Sequence, residues 1–182
     1  MNLRVRRPFP ARFEIERIGE FPNDDSILRV GDGGGPILLV TPDNGRRFIV
    51  VLPDMAWTPH VMTWPNPRKF LLRLREKTWL IDIGEPALQS FDCPRGLFGI
   101  QSFAVLKRNL YVAFDGSRVV AFSENGTTFD YDYDCNVTNV ELVGDAIEVT
   151  WWPGAQGRWR DRIDLATGVR VRHADPALGE GY

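Results

Sequence analysis

The sequence contains little cysteine and little histidine, with two residues of each among 182. No Cys-x-x-Cys pair is present, which argues against a disulfide scaffold and against a zinc ribbon. Two histidines are also too few for a histidine-rich metal site. We therefore expect no metal and no cofactor. The scarcity of cysteine favours a protein of the reducing cytoplasm.

Long apolar segments are also lacking. The longest uncharged stretches, residues 55–67 and 96–106, fall short of the ~20 apolar residues that span a membrane. Four arginines in the first twelve residues have no apolar run behind them, which does not fit a secretory signal. Twenty-two basic and 24 acidic residues leave a net charge of −2. We expect a soluble domain with no membrane partner, and the charge balance argues against nucleic acid as the partner.

Helical periodicity is nearly absent from the chain. Apolar residues instead form runs of about four to seven residues, separated by turn-forming residues, which is typical of strands. Clear examples are residues 37–41, 48–52, 110–114 and 147–152. The sequence therefore predicts a fold that consists mostly of β-strands.

Turns with a regular spacing separate these strands. Each turn ends in a glycine suited to the positive φ of a tight hairpin. The glycines lie 39, 42 and 42 residues apart, at Gly45, Gly84, Gly126 and Gly168. An aspartate follows each of them by seven to nine residues, at Asp54, Asp92, Asp134 and Asp175. A period of about 40 residues is typical of a repeat protein.

The period divides the chain into four units of four strands each. The units are residues 12–54, 55–92, 93–134 and 135–175, with short tails at 1–11 and 176–182. In the first unit the predicted strands are residues 12–18, 26–30, 37–41 and 46–52, following one another across the sheet. We predict an all-β fold of four repeated four-stranded antiparallel meanders of about 40 residues, in a single domain over residues 1–182.

The four-strand period, together with the turn Ile163-Asp-Leu-Ala-Thr-Gly168, resembles β-propeller repeats of the WD-repeat and quinoprotein kinds. The resemblance covers nearly the whole chain and implies a small four-bladed β-propeller. Two alternatives stay open: two chains that pair into an eight-bladed ring, and an open stack of meanders. No repeat signature tied to a particular activity accompanies the period, so the resemblance implies a fold and no reaction.

The first candidate binding site is the proline-rich segment Pro53–Pro67. It places Trp57, His60 and Trp64 on what would be the loop face of a propeller. Exposed tryptophans beside a histidine could anchor a protein partner or a planar ligand. The alternative is that the tryptophans belong to a strand and fill the core.

The second candidate is a group of arginines near the carboxyl end. Arg158, Arg160 and Arg162 share one face of a strand by their alternate spacing, and Arg170 and Arg172 follow on the next strand. Closure of a ring would add the arginines at positions 4, 6, 7 and 12 and form one basic sector, suited to an acidic protein. The alternative is a solvated face, balanced by the aspartates at 130, 132 and 134.

Other patterns have ordinary structural interpretations. The alternating carboxylates of Asp130–Asp134 lack the glycine-bearing loop of a calcium site and favour a charged edge strand. The recurring aspartates are interpreted as turn caps. Gly31–Gly35 is interpreted as a turn, because no helix follows it to bind phosphate. Cys93 and Cys135 hold equivalent positions in neighbouring units and are predicted to be free thiols.

These observations favour a non-catalytic protein-interaction module, of the kind to which bacterial toxin-neutralising and assembly proteins belong. The predicted partner-binding residues are Trp57, His60, Trp64, Arg158, Arg160, Arg162, Arg170 and Arg172. The alternative is a propeller that binds a carbohydrate or another small ligand. A hydrolase or lyase is less favoured, because no catalytic cluster can be assembled from the motifs.

Overall fold

The computed structural model describes residues 3–22, 26–54, 58–75, 77–92, 97, 101–134, 136–154 and 157–174. The chain forms two compact units, Met1–Cys93 and Pro94–Tyr182. The secondary structure of the described residues is almost entirely β, as predicted, and none of it is a helix long and apolar enough to cross a membrane.

The first unit contains nine strands. They are β1 (Arg4–Arg6), β2 (Phe13–Ile18), β3 (Ser26–Arg29), β4 (Gly34–Pro42), β5 (Phe48–Pro53), β6 (His60–Thr63), β7 (Lys69–Leu74), β8 (Lys77–Asp82) and β9 (Leu88–Ser90). Sheet 1 has the order β2-β4-β5-β3, and sheet 2 has the order β1-β6-β7-β8-β9.

The second unit contains eight strands and one turn of 3₁₀ helix. The strands are β10 (Ser102–Val105), β11 (Leu110–Phe114), β12 (Arg118–Ser123), β13 (Gly126–Asp132), β14 (Asn136–Val143), β15 (Ala146–Trp152), β16 (Trp159–Asp164) and β17 (Arg170–Ala174), and the 3₁₀ turn is Leu106–Arg108. Sheet 3 is the meander β10-β11-β12-β13, and sheet 4 is the meander β14-β15-β16-β17. The predicted four sheets of antiparallel strands are confirmed; the grouping of all four into one domain stays a prediction.

Sheet 1 departs from a simple meander. The second predicted strand, β3, does not lie beside β2 but at the far edge of the sheet, parallel to β5. The physical reason lies in β5, whose residues 48–52 are all buried; a simple meander would leave β5 at the edge of the sheet, whereas here β3 covers that edge. Strand β3 is short and mostly exposed, which suits an edge.

Sheet 2 gains a strand from outside its predicted unit. Residues Arg4–Arg6 pair in parallel with His60–Met62, so part of the predicted amino-terminal tail belongs to this sheet. The hydroxyl of Thr63 donates to the carbonyl of Phe9 at 2.9 Å and accepts from its N–H at 3.1 Å. These contacts fix the amino-terminal segment against β6.

Each unit has its own apolar core. In the first, sheets 1 and 2 share a cluster that includes Leu38, Val50, Phe70 and Leu72. In the second, sheets 3 and 4 share a cluster that includes Val112, Ala121, Ile147, Val149 and Ile163. Full burial of one such aliphatic side chain contributes about 1.5–3 kcal/mol.

The two faces of sheet 4 differ in burial and polarity. One face enters the core of the second unit, while the other carries polar and exposed side chains along β15, β16 and β17. We call these the inner face and the outer face of sheet 4. In sheet 3, by contrast, Tyr111, Ala113, Val120 and Phe122 are buried on the face opposite the shared core.

The repeated turns have the predicted backbone at three of four glycines. Gly45, Gly126 and Gly168 have φ of 132°, 113° and 70°. Gly84 is the exception, since its φ is not positive. Its N–H donates to Oδ1 of Asp82 at 2.8 Å, and the guanidinium of Arg68 occupies the space that a Cβ would take.

Aspartates do cap turns, but at other positions. Asp82, Asp115 and Asp164 accept hydrogen bonds from backbone N–H groups two or three residues ahead. The capping role of Asp54, Asp92 and Asp134 stays a prediction. Asp175, Cys93 and Cys135 lie outside the described residues, so the predicted free thiols are untested.

Candidate functional site

Of the two tryptophans in the proline-rich segment, the structure describes only Trp64. Trp57 lies outside the described residues. Trp64 is only 1% exposed, and its ring meets that of Phe91 edge to face at 5.2 Å and 77°. The alternative interpretation, a tryptophan that fills the core, therefore holds for Trp64, which has no surface to offer a partner.

His60 lies in a basic environment. It stands between Arg4 and Arg73 in the register of sheet 2 and is half-buried. Burial lowers the pKa of His60, and the positive charges of Arg4, Arg73 and Arg6 lower it further. The imidazole is consequently favoured in its neutral form, as part of a surface that already carries three guanidinium groups.

The predicted basic sector is divided between the two faces of sheet 4. Arg160 and Arg162 pair across the strands with Thr150 and Glu148, on the outer face. Arg172 pairs with Asp161, and this pair belongs to the inner face. Directly paired residues of adjacent strands point to the same side of a sheet. Arg170 and Arg172 are thus on the side opposite to Arg160 and Arg162.

The outer face combines arginines with exposed apolar groups. Glu148 bridges two of the arginines, with its carboxylate 3.4 Å from Nη1 of Arg160 and 3.0 Å from Nη1 of Arg162. The guanidinium of Arg158 lies 5.7 Å from the ring centre of Trp152, which is 46% exposed. The face is an accessible, mostly basic surface with an aromatic side chain at its end.

The inner face holds two arginines around a buried carboxylate. Asp161 is 0% exposed, and its oxygens lie 3.2 Å from Nε of Arg172 and 3.6 Å from Nε of Arg170. Each guanidinium also covers an aromatic ring at 4.5 Å, Arg170 over Tyr131 and Arg172 over Trp151. Ion pairing and ring contact together fix both planar groups in position.

A cavity of about 500 Å³ opens beside these arginines. Its lining residues belong to the second unit: Asp132, Tyr133, Asp134, Asn136, Trp151, Trp152, Pro153, Gly154, Arg170 and Arg172. Burial raises the pKa of Tyr133, and the negative charge of Asp161 raises it further. The phenol is therefore neutral over the ordinary pH range and can donate a hydrogen bond.

Two polar atoms in this lining have no hydrogen bond to the described residues. They are the indole Nε1 of Trp151 and the hydroxyl of Tyr133, in side chains that are 8% and 4% exposed. Asp161 and Arg170 are close enough to affect the pKa of Tyr133. Buried donors without partners are uncommon and call for an explanation.

Most of this cavity could not be predicted from the sequence. The alternation of aspartates with aromatics at 129–134 is present, and β13 is the predicted edge strand of sheet 3. Asp130 binds Arg118 through two hydrogen bonds of 2.8 and 2.5 Å, which lower the pKa of Asp130. The described residues contain no group of three His, Cys, Asp or Glu side chains placed to hold a metal ion.

One sequence feature does point to the cavity. It is Asp161, an acidic residue between Arg160 and Arg162 of one strand.

No family model matches the chain, and no curated protein matches it either. Three solved structures show the range of similarity. The dihydro-heme d1 dehydrogenase NirN, solved in complex with DHE, is 14% identical over 79% of this chain and 33% of its own, with a TM-score of 0.41. BBS1N, solved in complex with ARL6DN, is 14% identical over 90% and 54%, with a TM-score of 0.36. The WD40 domain of SCAP from fission yeast is 10% identical over 90% and 45%, with a TM-score of 0.35.

The chain therefore spans between 33% and 54% of the length of these structures. The similarity concerns the arrangement of strands.

Proposed function

We propose that the chain is a non-catalytic protein-interaction module and that the outer face of sheet 4 is its docking surface. The observation that carries the proposal is the row formed by Arg158, Arg160 and Arg162 beside the exposed ring of Trp152. Arginine and tryptophan are the residue types most enriched among energetically dominant interface contacts.

Charge specifies the partner. At the Trp152 end of the outer face, the three arginines exceed the two carboxylates that face them, Glu148 and its cross-strand neighbour Glu141. The third carboxylate of this face, Asp164, caps the turn at the other end of β16. This local excess stands against a net charge of −2 for the whole chain. Complementary charge speeds encounter and selects against basic partners. The partner is therefore an acidic protein surface.

Apolar contact supplies the rest of the interaction. Trp152 is 46% exposed and Val171, on the adjoining part of the outer face, is 49% exposed. Exposed arginine pairs contribute about 1 kcal/mol or less each, whereas a central aromatic anchor contributes about 2 kcal/mol or more. We infer that the partner places an apolar side chain against Trp152 and acidic side chains against the arginines.

The test is quantitative capture from an extract of the source cells. The bait is the wild-type chain, the variant Arg160→Glu with Arg162→Glu, or the variant Trp152→Ala. The expected result is one protein, with an acidic surface, that binds the wild type stoichiometrically at low salt. Both variants should lose it by tenfold or more, and raised salt should weaken the wild-type complex.

A matched control is offered by an exposed turn of the first unit. The variant Arg46→Glu with Arg47→Glu changes the net charge equally, and both arginines are exposed. It should retain the captured protein. The proposal would be overturned if the control variant lost the captured protein while the outer-face variant retained it. It would also be overturned if no captured protein bound the control variant and the outer-face variant differently. Circular dichroism of each bait checks that all of them are folded.

A further inference from the structure

The cavity beside the inner face of sheet 4 has a chemistry of its own, although it shares one residue, Trp152, with the docking surface. Its lining is rich in hydrogen-bond donors that the fold leaves unused. The indole of Trp151 is a donor only and has no hydrogen bond to the described residues; the hydroxyl of Tyr133 can donate and lies close to the carboxylate of Asp161 and to Arg170, without a hydrogen bond of ordinary geometry to either. Both side chains are more than nine-tenths buried, so bulk water does not satisfy them freely.

The two arginines add further donors. Each guanidinium faces Asp161 through its Nε atom, as the distances of 3.2 and 3.6 Å show. Tyr131 and Trp151 cover one side of each guanidinium plane. The terminal nitrogens of Arg170 and Arg172 are the remaining donors: Arg172 binds Asp161 through Nε alone, and Arg170 has the hydroxyl of Tyr133 as a further neighbour. They are held in place before any ligand arrives, which reduces the ordering cost of binding.

Charge and shape identify the ligand class. Asp161 offsets one of the two guanidinium charges, which leaves a single positive charge on the triad. A planar group with one negative charge matches this excess and accepts two parallel N–H bonds from an arginine. Asp132 and Asp134 are exposed at the cavity mouth and oppose a second negative charge on the ligand.

We propose that this cavity binds a carboxylate, held by the terminal nitrogens of Arg170 and Arg172 and by the donors of Trp151 and Tyr133. A volume of about 500 Å³ is that of an ordinary small-molecule site. The carboxylate belongs either to a free organic acid or to an acidic side chain or carboxyl terminus of a protein.

The indole N–H of Trp151 gives a direct readout. In a ¹H–¹⁵N spectrum, each of the six tryptophans contributes one indole signal. The signal that disappears in the variant Trp151→Phe is that of Trp151. The probes are sodium acetate, N-acetylalanine and inorganic phosphate, with N-acetylalanine amide as the neutral counterpart. We expect a saturable shift of the Trp151 signal with the carboxylates and none with the neutral amide.

Variants separate positioning from charge. Arg170→Lys and Arg172→Lys keep the charge but lose the planar fork, and each should weaken binding of N-acetylalanine by about tenfold. Tyr133→Phe should weaken it less. Asp132→Asn with Asp134→Asn should tighten it, because repulsion at the mouth is removed. The control is Arg160→Lys with Arg162→Lys on the outer face, which should leave binding unchanged.

The source of the carboxylate is resolved by two further probes. A short peptide with a free carboxyl terminus is compared with the same peptide amidated at that end, both without acidic side chains. A shift only with the free terminus assigns a chain end, and a shift only with small acids assigns a free metabolite; either supports the proposal. Unsaturable shifts with every carboxylate, equal shifts with the neutral amide, or phosphate binding without carboxylate binding would overturn it.

Failure here is distinguishable from failure of the proposed function. Protein capture is judged here by the Arg160 and Arg162 variant, whose residues are not in the cavity lining, whereas the carboxylate titration depends on Arg170 and Arg172; Trp152 belongs to both places and does not separate them. The two sets of variants lie on opposite faces of one sheet. Each result therefore stands without the other.

Discussion

Removing both inner-face arginines should destabilise the protein strongly. The variant Arg170→Met with Arg172→Met retains aliphatic cover for the aromatic rings but leaves Asp161 without a cation. That carboxylate is 0% exposed, and both of its ion pairs, at 3.2 and 3.6 Å, come from these two residues. A buried charge that loses its partners costs about 3–5 kcal/mol. We expect the free energy of unfolding to fall by that amount.

A triple variant tests the cause. Adding Asp161→Leu to the two methionine substitutions replaces the whole triad with apolar groups, and such replacements are often neutral or stabilising. The triple variant should therefore recover most of the stability that the double variant loses. The measurement is urea unfolding followed by circular dichroism, with equal slopes required for the comparison.

The control uses the outer face. Arg160→Met with Arg162→Met breaks two ion pairs whose arginines are exposed, so it should cost about 1 kcal/mol or less for each pair. If the inner-face double variant costs no more than this control, the buried carboxylate of Asp161 does not depend on its two arginines, which contradicts the prediction. The same conclusion follows if the triple variant is less stable than the double variant.

Three further predictions concern single positions. The folded protein lowers the pKa of His60, so as pH falls through the ordinary histidine pKa of 6.5 the unfolded chain binds a proton before the folded chain does. The free energy of unfolding should therefore decrease as pH falls over this range. His60→Gln should flatten the dependence when urea unfolding is measured at a series of pH values. Gly35→Ala should cost about 1–3 kcal/mol, since the new Cβ meets the carbonyl of Pro53, whereas Gly116→Ala, whose Cβ would lie 4.0 Å from Oδ1 of Asn136 in an ordinary contact, should be tolerated in the same thermal unfolding assay. Tyr133 should stay neutral when pH passes the ordinary tyrosine value of 10.0, so that Tyr133→Phe leaves the ultraviolet titration of the folded protein unchanged; a smaller absorbance rise in the variant would contradict this.

The strands could be predicted from the sequence because their signal is local. Alternation and turn residues decide where a strand begins and ends, as at residues 110–114 and 118–123. The order of strands in a sheet is a different matter. Strand β3 lies beside β5 because the fully buried β5 would otherwise be an edge strand, and no local pattern reports that requirement.

The candidate site was predictable in part for the same reason. The shared face of Arg158, Arg160 and Arg162 follows from their spacing on one strand. The opposite placement of Arg170 and Arg172 depends on the register between β16 and β17, which pairs Arg172 with Asp161. Sequence alone does not set that register.

Burial of aromatics was the other limit. Trp64 and Trp152 are both tryptophans next to a proline, yet one is 1% exposed and the other 46%. Their difference comes from the sheet face on which each lies and from what covers that face. Composition predicts that tryptophans will matter, while only the packed structure shows which of them a partner can contact.

Backbone amide exchange of the complex tests the central claim most directly. The captured partner is added to the wild-type chain, and protection is compared with that of the free chain by mass spectrometry. We expect new protection in residues 158–162 and 170–173, the two segments that contribute Arg158, Arg160, Arg162, Val171 and His173 to the outer face, and none in the turn at residues 43–47. Protection confined to the first unit, with β16 and β17 unchanged, would contradict it.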